Sequence, residues 1–181
     1  DGIRDAQESR GLGDVYKRQH RLHQVPLEEL EELVRPAGYY RIKARRLRNL
    51  LDFLVKRYHG SLEDMFRTSL PELRKQLLGV NGVGPETADS ILLYAGRMPT
   101  FVVDAYTHRI LARHGWIGPE ADYYEIKDYL ESGLPQDAGL FNEFHALLVR
   151  LGKQRCRKKA PRCSGCPLAE MLPEGGPHDP E

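Results

Sequence analysis

From Pro26 onward, apolar residues recur every three or four positions, the period that gathers them on one side of a helix. PLEELEELVRPAG predicts a short amphipathic helix with acids in its first turn, stopped near Pro36, Ala37 and Gly38. Tyr40 to Tyr58 predicts a longer one, with Leu47, Leu50, Leu51, Leu54 and Tyr58 on one side and arginines on the other. Ser61 to Thr68 and Leu70 to Leu78 follow as short helices, the second with Ser69 at its N-cap and Pro71 just inside. After the glycine-rich GVNGVG, Pro85 opens a helix with Ala88, Ile91, Leu92 and Ala95 at i, i+3, i+4 and i+7. PTFVV, from Pro99 to Val103, has the composition of a strand but reads as an extended linker into a helix from Ala105 to His114. Gly115, Gly118 and Pro119 break the pattern. Asp122 to Leu130 and Phe141 to Leu151 are the last helices, the second with Phe144, Leu147, Leu148 and Leu151 on one face. There is no period-two ladder and no internal repeat, so the expected class is all-α.

A chain of 181 residues is one large domain or two small ones, long enough to bury a core. It contains no run of 18 apolar residues, so no membrane-spanning helix is expected, and no secretory signal. The formal net charge of +1 does not point to a nucleic-acid partner. Local charge does. Arg41 to Arg57 holds seven basic residues and one acid, and Arg150 to Arg162 holds seven and none. A basic run is often only a solvated face, but two of them flanking an anion-binding loop suggest a DNA footprint. The three cysteines fall within eleven residues, too few and too close for a disulfide framework; in a cytoplasmic chain such a cluster suggests metal.

The segment that organises the rest is Gly79-Val80-Asn81-Gly82-Val83-Gly84 with the helix behind it. Glycines allow positive φ and close approach of another molecule. The following helix start adds unpaired N–H groups and the positive end of a dipole, together an anion site suited to a phosphate. The same glycines would also serve an ordinary turn. Asp104 follows the apolar FVV and precedes a helix, so it reads as an N-cap. Backbone N–H groups and the helix dipole there keep a carboxylate ionised.

NGVGPETA, the helix after it, and an apolar run ending in Asp104 together resemble the helix-hairpin-helix DNA glycosylases of the endonuclease III superfamily, over about Pro26 to Leu172. The resemblance implies an all-α fold of two helical subdomains with a DNA and base cleft between them. It implies double-stranded DNA with a damaged base as partner, a cytoplasmic, nucleoid-associated monomer, and Asp104 as the catalytic carboxylate. Gly79, Val80, Asn81, Gly82, Val83, Gly84 and Thr87 would hold the strand. A fixed anion stabilises the oxocarbenium-like sugar and orients or deprotonates a water. Tyr106 is a candidate wall for the flipped base and equally reads as a packed helix tyrosine. Asn142 and His145 are weaker pocket candidates.

On this reading residues 20–98 form a partial six-helix domain with the hairpin, 99–172 a C-terminal helical domain with the cysteine loop, and 173–181 a disordered tail. Residues 1–19, DGIRDAQESRGLGDVYKRQ, lack apolar periodicity and resemble adapter sequence translated in frame. They are expected to be a non-native leader replacing a lost N-terminus. Bifunctional members carry a lysine eighteen residues before the aspartate; here that position is Glu86, which cannot form an imine. A monofunctional enzyme is therefore expected, and GVNGVGPETAD with VVDAYT looks most like the 3-methyladenine DNA glycosylase branch. The alternatives are a glycosylase for mismatched thymine or oxidised pyrimidine, or a module that only holds DNA. Cys156, Cys163 and Cys166 match three ligands of the superfamily's [4Fe–4S] loop, whose fourth position is Leu172 here. Three thiolates imply a site-differentiated, labile or absent cluster, a substitute ligand such as His178, or zinc.

Overall fold

The computed structural model describes residues 19–178. The expected leader lies outside them except for Gln19. Backbone contacts divide the chain into two compact units, with the boundary between Gly84 and Pro85. Among the described residues every regular element is helical.

In the first unit a helical stretch at 19–24 precedes α1 (Leu27–Val34), a 3₁₀ turn (Arg35–Ala37), α2 (Tyr40–Tyr58), α3 (Leu62–Phe66) and α4 (Leu70–Leu78). α1 packs on α2. Leu30, Ala44, Leu51, Leu54, Met65, Leu73 and Leu77 form the buried interior. Leu47 and Leu50 on the expected face of α2 are only half-buried. α1 stops where expected, because Gly38 and Tyr39 take positive φ. Ser61 caps α3 by accepting the Asp64 N–H at 3.0 Å. Ser69 stands at the N-cap of α4, but its side chain makes no capping hydrogen bond. Arg48 leaves the solvated basic face of α2 and donates to the carbonyls of His23 and Val25.

In the second unit α5 (Pro85–Ser90) runs into a π-helical segment (Ile91–Ala95). An extended stretch leads to α6 (Ala105–Arg113), followed by α7 (Tyr123–Gly133) and α8 (Ala138–Gln154). A 3₁₀ turn (Ala169–Met171) follows the cysteine loop. The wide π turn changes the expected face: Leu93 is buried and Ala95 exposed, because one extra residue per turn rotates the register. α8 is longer than its periodicity predicted. Its buried face is Phe141, His145, Leu148 and Gly152, not the stripe through Leu147, which is 49% exposed. α8 packs on α6. Gly152 makes this close: a Cβ there would lie 2.4 Å from Tyr106 Cδ1.

PTFVV stays extended, as expected, and Thr100 to Val103 are all buried. A polar network pins this stretch. Asp89, 0% exposed, accepts from Thr100 Oγ1 at 3.2 Å and from the Tyr123 hydroxyl at 2.8 Å. Lys127 lies 4.0 Å from Asp89 Oδ2 and also bonds Thr100 and Glu131. Glu131 in turn accepts the Phe101 N–H at 2.6 Å. A buried charge is tolerated only with such a full set of partners.

Candidate active site

The hairpin lies at the end of the first unit. Val80 N–H donates to Leu77 O, and Val83 N–H to Val80 O, both at 3.0 Å. Val80 and Val83 are 8% exposed, and their N–H groups are engaged within the turn. Asn81 and Gly84 are exposed. Of the three glycines expected to need unusual backbone, only Gly82 takes a left-handed conformation, φ +91°, and a Cβ there would meet Arg46 Cγ at 2.3 Å. Gly79 is right-handed helical. The Asn49 amide holds the turn to α2 by donating to Asn81 O at 2.9 Å.

In the second unit Asp104 is the N-cap of α6. Its Oδ1 accepts three hydrogen bonds: Tyr106 N–H at 2.9 Å, Thr107 N–H at 2.8 Å and Thr107 Oγ1 at 3.0 Å. Oδ2 faces His145 Nε2 at 3.6 Å. Burial raises the carboxyl pKa, but His145 and the Thr107 donors outweigh it and leave Asp104 below its ordinary value. Asp104 is therefore an anion at neutral pH, with one oxygen engaged and one directed at an imidazole.

His145 and Asp104 are the expected site residues that the fold brings together. Tyr94, on the π segment, completes the set, with its hydroxyl hydrogen-bonded to His145 Nδ1. Burial, then the charges of Asp104 and Glu86, push the Tyr94 pKa up, so the phenol stays protonated. Sequence reasoning missed Tyr94 and Thr107. Thr107 was legible as the third residue after an Asp N-cap. Tyr94 sat in the ILLYA run, where only the π turn decides which way it faces. Tyr106 lies under the Arg109 guanidinium, 5.2 Å from ring centroid to Cζ, and against Gly152. Asn142, Glu86 and Thr87 are exposed.

Cys156, Cys163, Cys166 and Leu172 line one cavity, with Arg113 and His114 in its wall. Its volume is about 10 Å³, room for about one water. The loop is held by protein donors. Buried Arg113 donates to Arg157 O at 2.6 Å and Lys158 O at 3.0 Å, and lies 3.5 Å from Cys156 Sγ. Arg109 donates to Cys156 O at 2.8 Å, and His114 bonds Ile110 O and Leu168 O. Among the described residues no three His, Cys, Asp or Glu side chains are grouped to hold a metal ion. With three thiols, a leucine at the fourth position and so little space, these residues as placed do not fit a four-iron cluster. His178 is not drawn in as a ligand: its backbone N–H donates to Arg113 O, and its ring lies beside Gly115.

Comparison with known proteins agrees with this geometry. The chain is 50% identical over 149 residues to a protein of Methanocaldococcus jannaschii that bears the name of a DNA repair glycosylase, covering 81% of this chain and 67% of that one. It is 29% identical over 168 residues to endonuclease III of Bacillus subtilis, covering 93% and 72%. Among solved structures, a non-covalent endonuclease III–DNA complex matches with a TM-score of 0.72 at 30% identity, covering 87% and 69%. The H. pylori 3-methyladenine DNA glycosylase bound to 1,N6-ethenoadenine matches with a TM-score of 0.66 at 30% identity, covering 75% and 67%. A family model described as HhH-GPD superfamily base excision DNA repair protein matches residues 11–136, which include the hairpin and the carboxylate-headed helix. The chain belongs to the HhH-GPD superfamily of base excision DNA repair proteins.

Proposed function

We propose that this protein is a monofunctional DNA glycosylase that hydrolyses the N-glycosidic bond of an alkylated purine in duplex DNA. The observation that carries the reading is Asp104, a half-buried anion with one oxygen saturated by helix-head donors and the other left for chemistry. Such a fixed charge stabilises the positive sugar that forms as the base departs. Glu86 occupies the position at which bifunctional relatives carry an attacking lysine, so water is the nucleophile and an abasic site the product. A purine nucleoside alkylated at N3 or N7 is cationic, and its base leaves without strong acid help. The solved relative with a 3-methyladenine glycosylase title supports this choice of substrate.

DNA would be gripped by the backbone of 79–84 and by Thr87, with the exposed basic residues of α2, Lys153 at the end of α8, and the loop from Arg155 to Arg162 neutralising phosphates. The test is a set of duplexes with single lesions (an alkylated purine, a mismatched thymine, an oxidised pyrimidine and an undamaged control), scored for abasic sites with and without alkali. Strand breaks only after alkali, on the alkylated duplex, are expected. Breaks without alkali, or a protein–DNA adduct trapped by borohydride, would overturn the monofunctional assignment. Excision confined to one of the pyrimidine duplexes would replace the substrate, and binding without any excision would replace the enzyme by a DNA-holding module.

A further inference from the structure

His145 sits in the packed face of α8 among Phe141, Leu148 and Gly152, 8% exposed. An apolar residue would fill that position as well, so the imidazole needs a reason to be there. Its Nδ1 pairs with the Tyr94 hydroxyl. A protonated phenol donates to a neutral imidazole far better than it accepts, which puts the ring proton on Nε2. Nε2 is buried without a hydrogen-bond partner and aimed at Asp104 Oδ2, 3.6 Å away. At that distance the imidazole acts on Oδ2 through charge and dipole, and the burial of Nε2 leaves no room for a water to touch it. On Asp104 the other oxygen already carries three donors, so Oδ2 is the one free to act.

We infer that the buried Nε2–H of His145 aligns Oδ2 of Asp104 for the hydrolytic water, with Tyr94 fixing the imidazole tautomer that makes this geometry. This rests on the reading of Asp104 as the glycosylase carboxylate. The water donates to Oδ2, which leaves a lone pair for C1′ of the sugar. As the C1′–O bond forms, the C1′–N bond breaks and its electron pair leaves with the base. The water's proton passes to Oδ2 and then to solvent, and nothing is oxidised or reduced. A cationic alkylpurine departs neutral. His145 is a positioning residue that acts through Asp104, and Tyr94 positions His145.

The titratable groups facing His145 are Tyr94 from the π segment and Asp104 from the head of α6, with the Phe101 ring edge beside it. Single-turnover base release, binding to a duplex with an abasic-site analogue, and the pH–rate profile separate the roles. His145→Ala is expected to slow base release about 30-fold with binding unchanged within about twofold, and to move the acid limb of the profile to higher pH, because a group that keeps Asp104 ionised is gone. His145→Gln, which retains an N–H donor, recovers part of the rate. Tyr94→Phe slows release by about threefold to tenfold and adds nothing in the His145→Ala background, because both act through one carboxylate oxygen. Wild-type rates in His145→Ala, or losses from the two positions that multiply, would overturn the inference. If His145→Ala does not fold, Tyr94→Phe decides: no change in rate or acid limb refutes it. A wild-type protein silent on every lesion fails the functional reading itself, whereas an active wild type with indifferent variants fails only this assignment.

Discussion

Asp89→Ala tests how the extended stretch leading to Asp104 is held in place. Asp89 is fully buried and accepts from Thr100 Oγ1 and the Tyr123 hydroxyl, with Lys127 at 4.0 Å. Each hydrogen bond to a charged acceptor contributes about 1.5–3 kcal/mol. Removing one side of a buried charged network costs about 3–5 kcal/mol, because the partner groups stay desolvated. Lys127 keeps Glu131, which moderates the loss, so about 3–4 kcal/mol is expected. For a chain of this size that lowers Tm by about 6–15 °C. Asp89→Asn keeps the shape and one acceptor and should cost about 1–2 kcal/mol. The assay is thermal unfolding followed by two probes, with the two units' transitions separated, together with urea midpoints at unchanged m. Base release should fall in step, because Thr100 loses an anchor that sets the path to Asp104. An Asp89→Ala protein melting within about 2 °C of wild type would refute the idea that this network carries the stretch.

Other perturbations bear on the remaining parts. Asp104→Asn should keep DNA affinity and lose base release on the order of 10³-fold, read in single turnovers. The depressed pKa of Asp104 means its contribution to stability is present above the unfolded carboxylate pKa and is lost as pH falls through the lower folded one; the drop in Tm should therefore appear only below the usual carboxylate range and vanish in Asp104→Asn. Gly82→Ala forces a Cβ into a left-handed residue and toward Arg46; Arg46 can swing away, leaving about 1–2 kcal/mol of backbone strain and weaker DNA binding, measured by melting and titration. Arg113→Ala should destabilise the second unit by about 2–4 kcal/mol, whereas prolonged chelation should leave Tm unchanged, because protein donors hold the cysteine loop. A chelator-induced fall would show that metal does.

The helices, the hairpin and the capping role of Asp104 were legible because each rests on short-range rules: period, turn chemistry, and an acid before a helix. The rest depended on tertiary contacts. The face of α8 could not be read because Leu147 and His145 are equally periodic choices; the approach of Tyr106 to Gly152 decides the rotation and puts the imidazole inside. The basic stripe of α2 overcounted its solvated charges, because Arg48 turns to cap carbonyls that lie 23 and 25 residues away in sequence. Tyr94 was invisible for a different reason: ILLYA continues a helical pattern, and nothing local announces a π turn.

That wide turn makes the chain unusually sensitive to length at one place. Between Ile91 and Ala95 a single-residue deletion would restore ordinary winding and change which side chains of the segment face inward. Leu93 would leave the interior and the phenol would lose the imidazole it orders. Substitutions at the same positions that keep the winding would trim or enlarge a side chain without moving that register, whereas a change in residue number would uncouple Tyr94 from His145 while leaving both in the sequence.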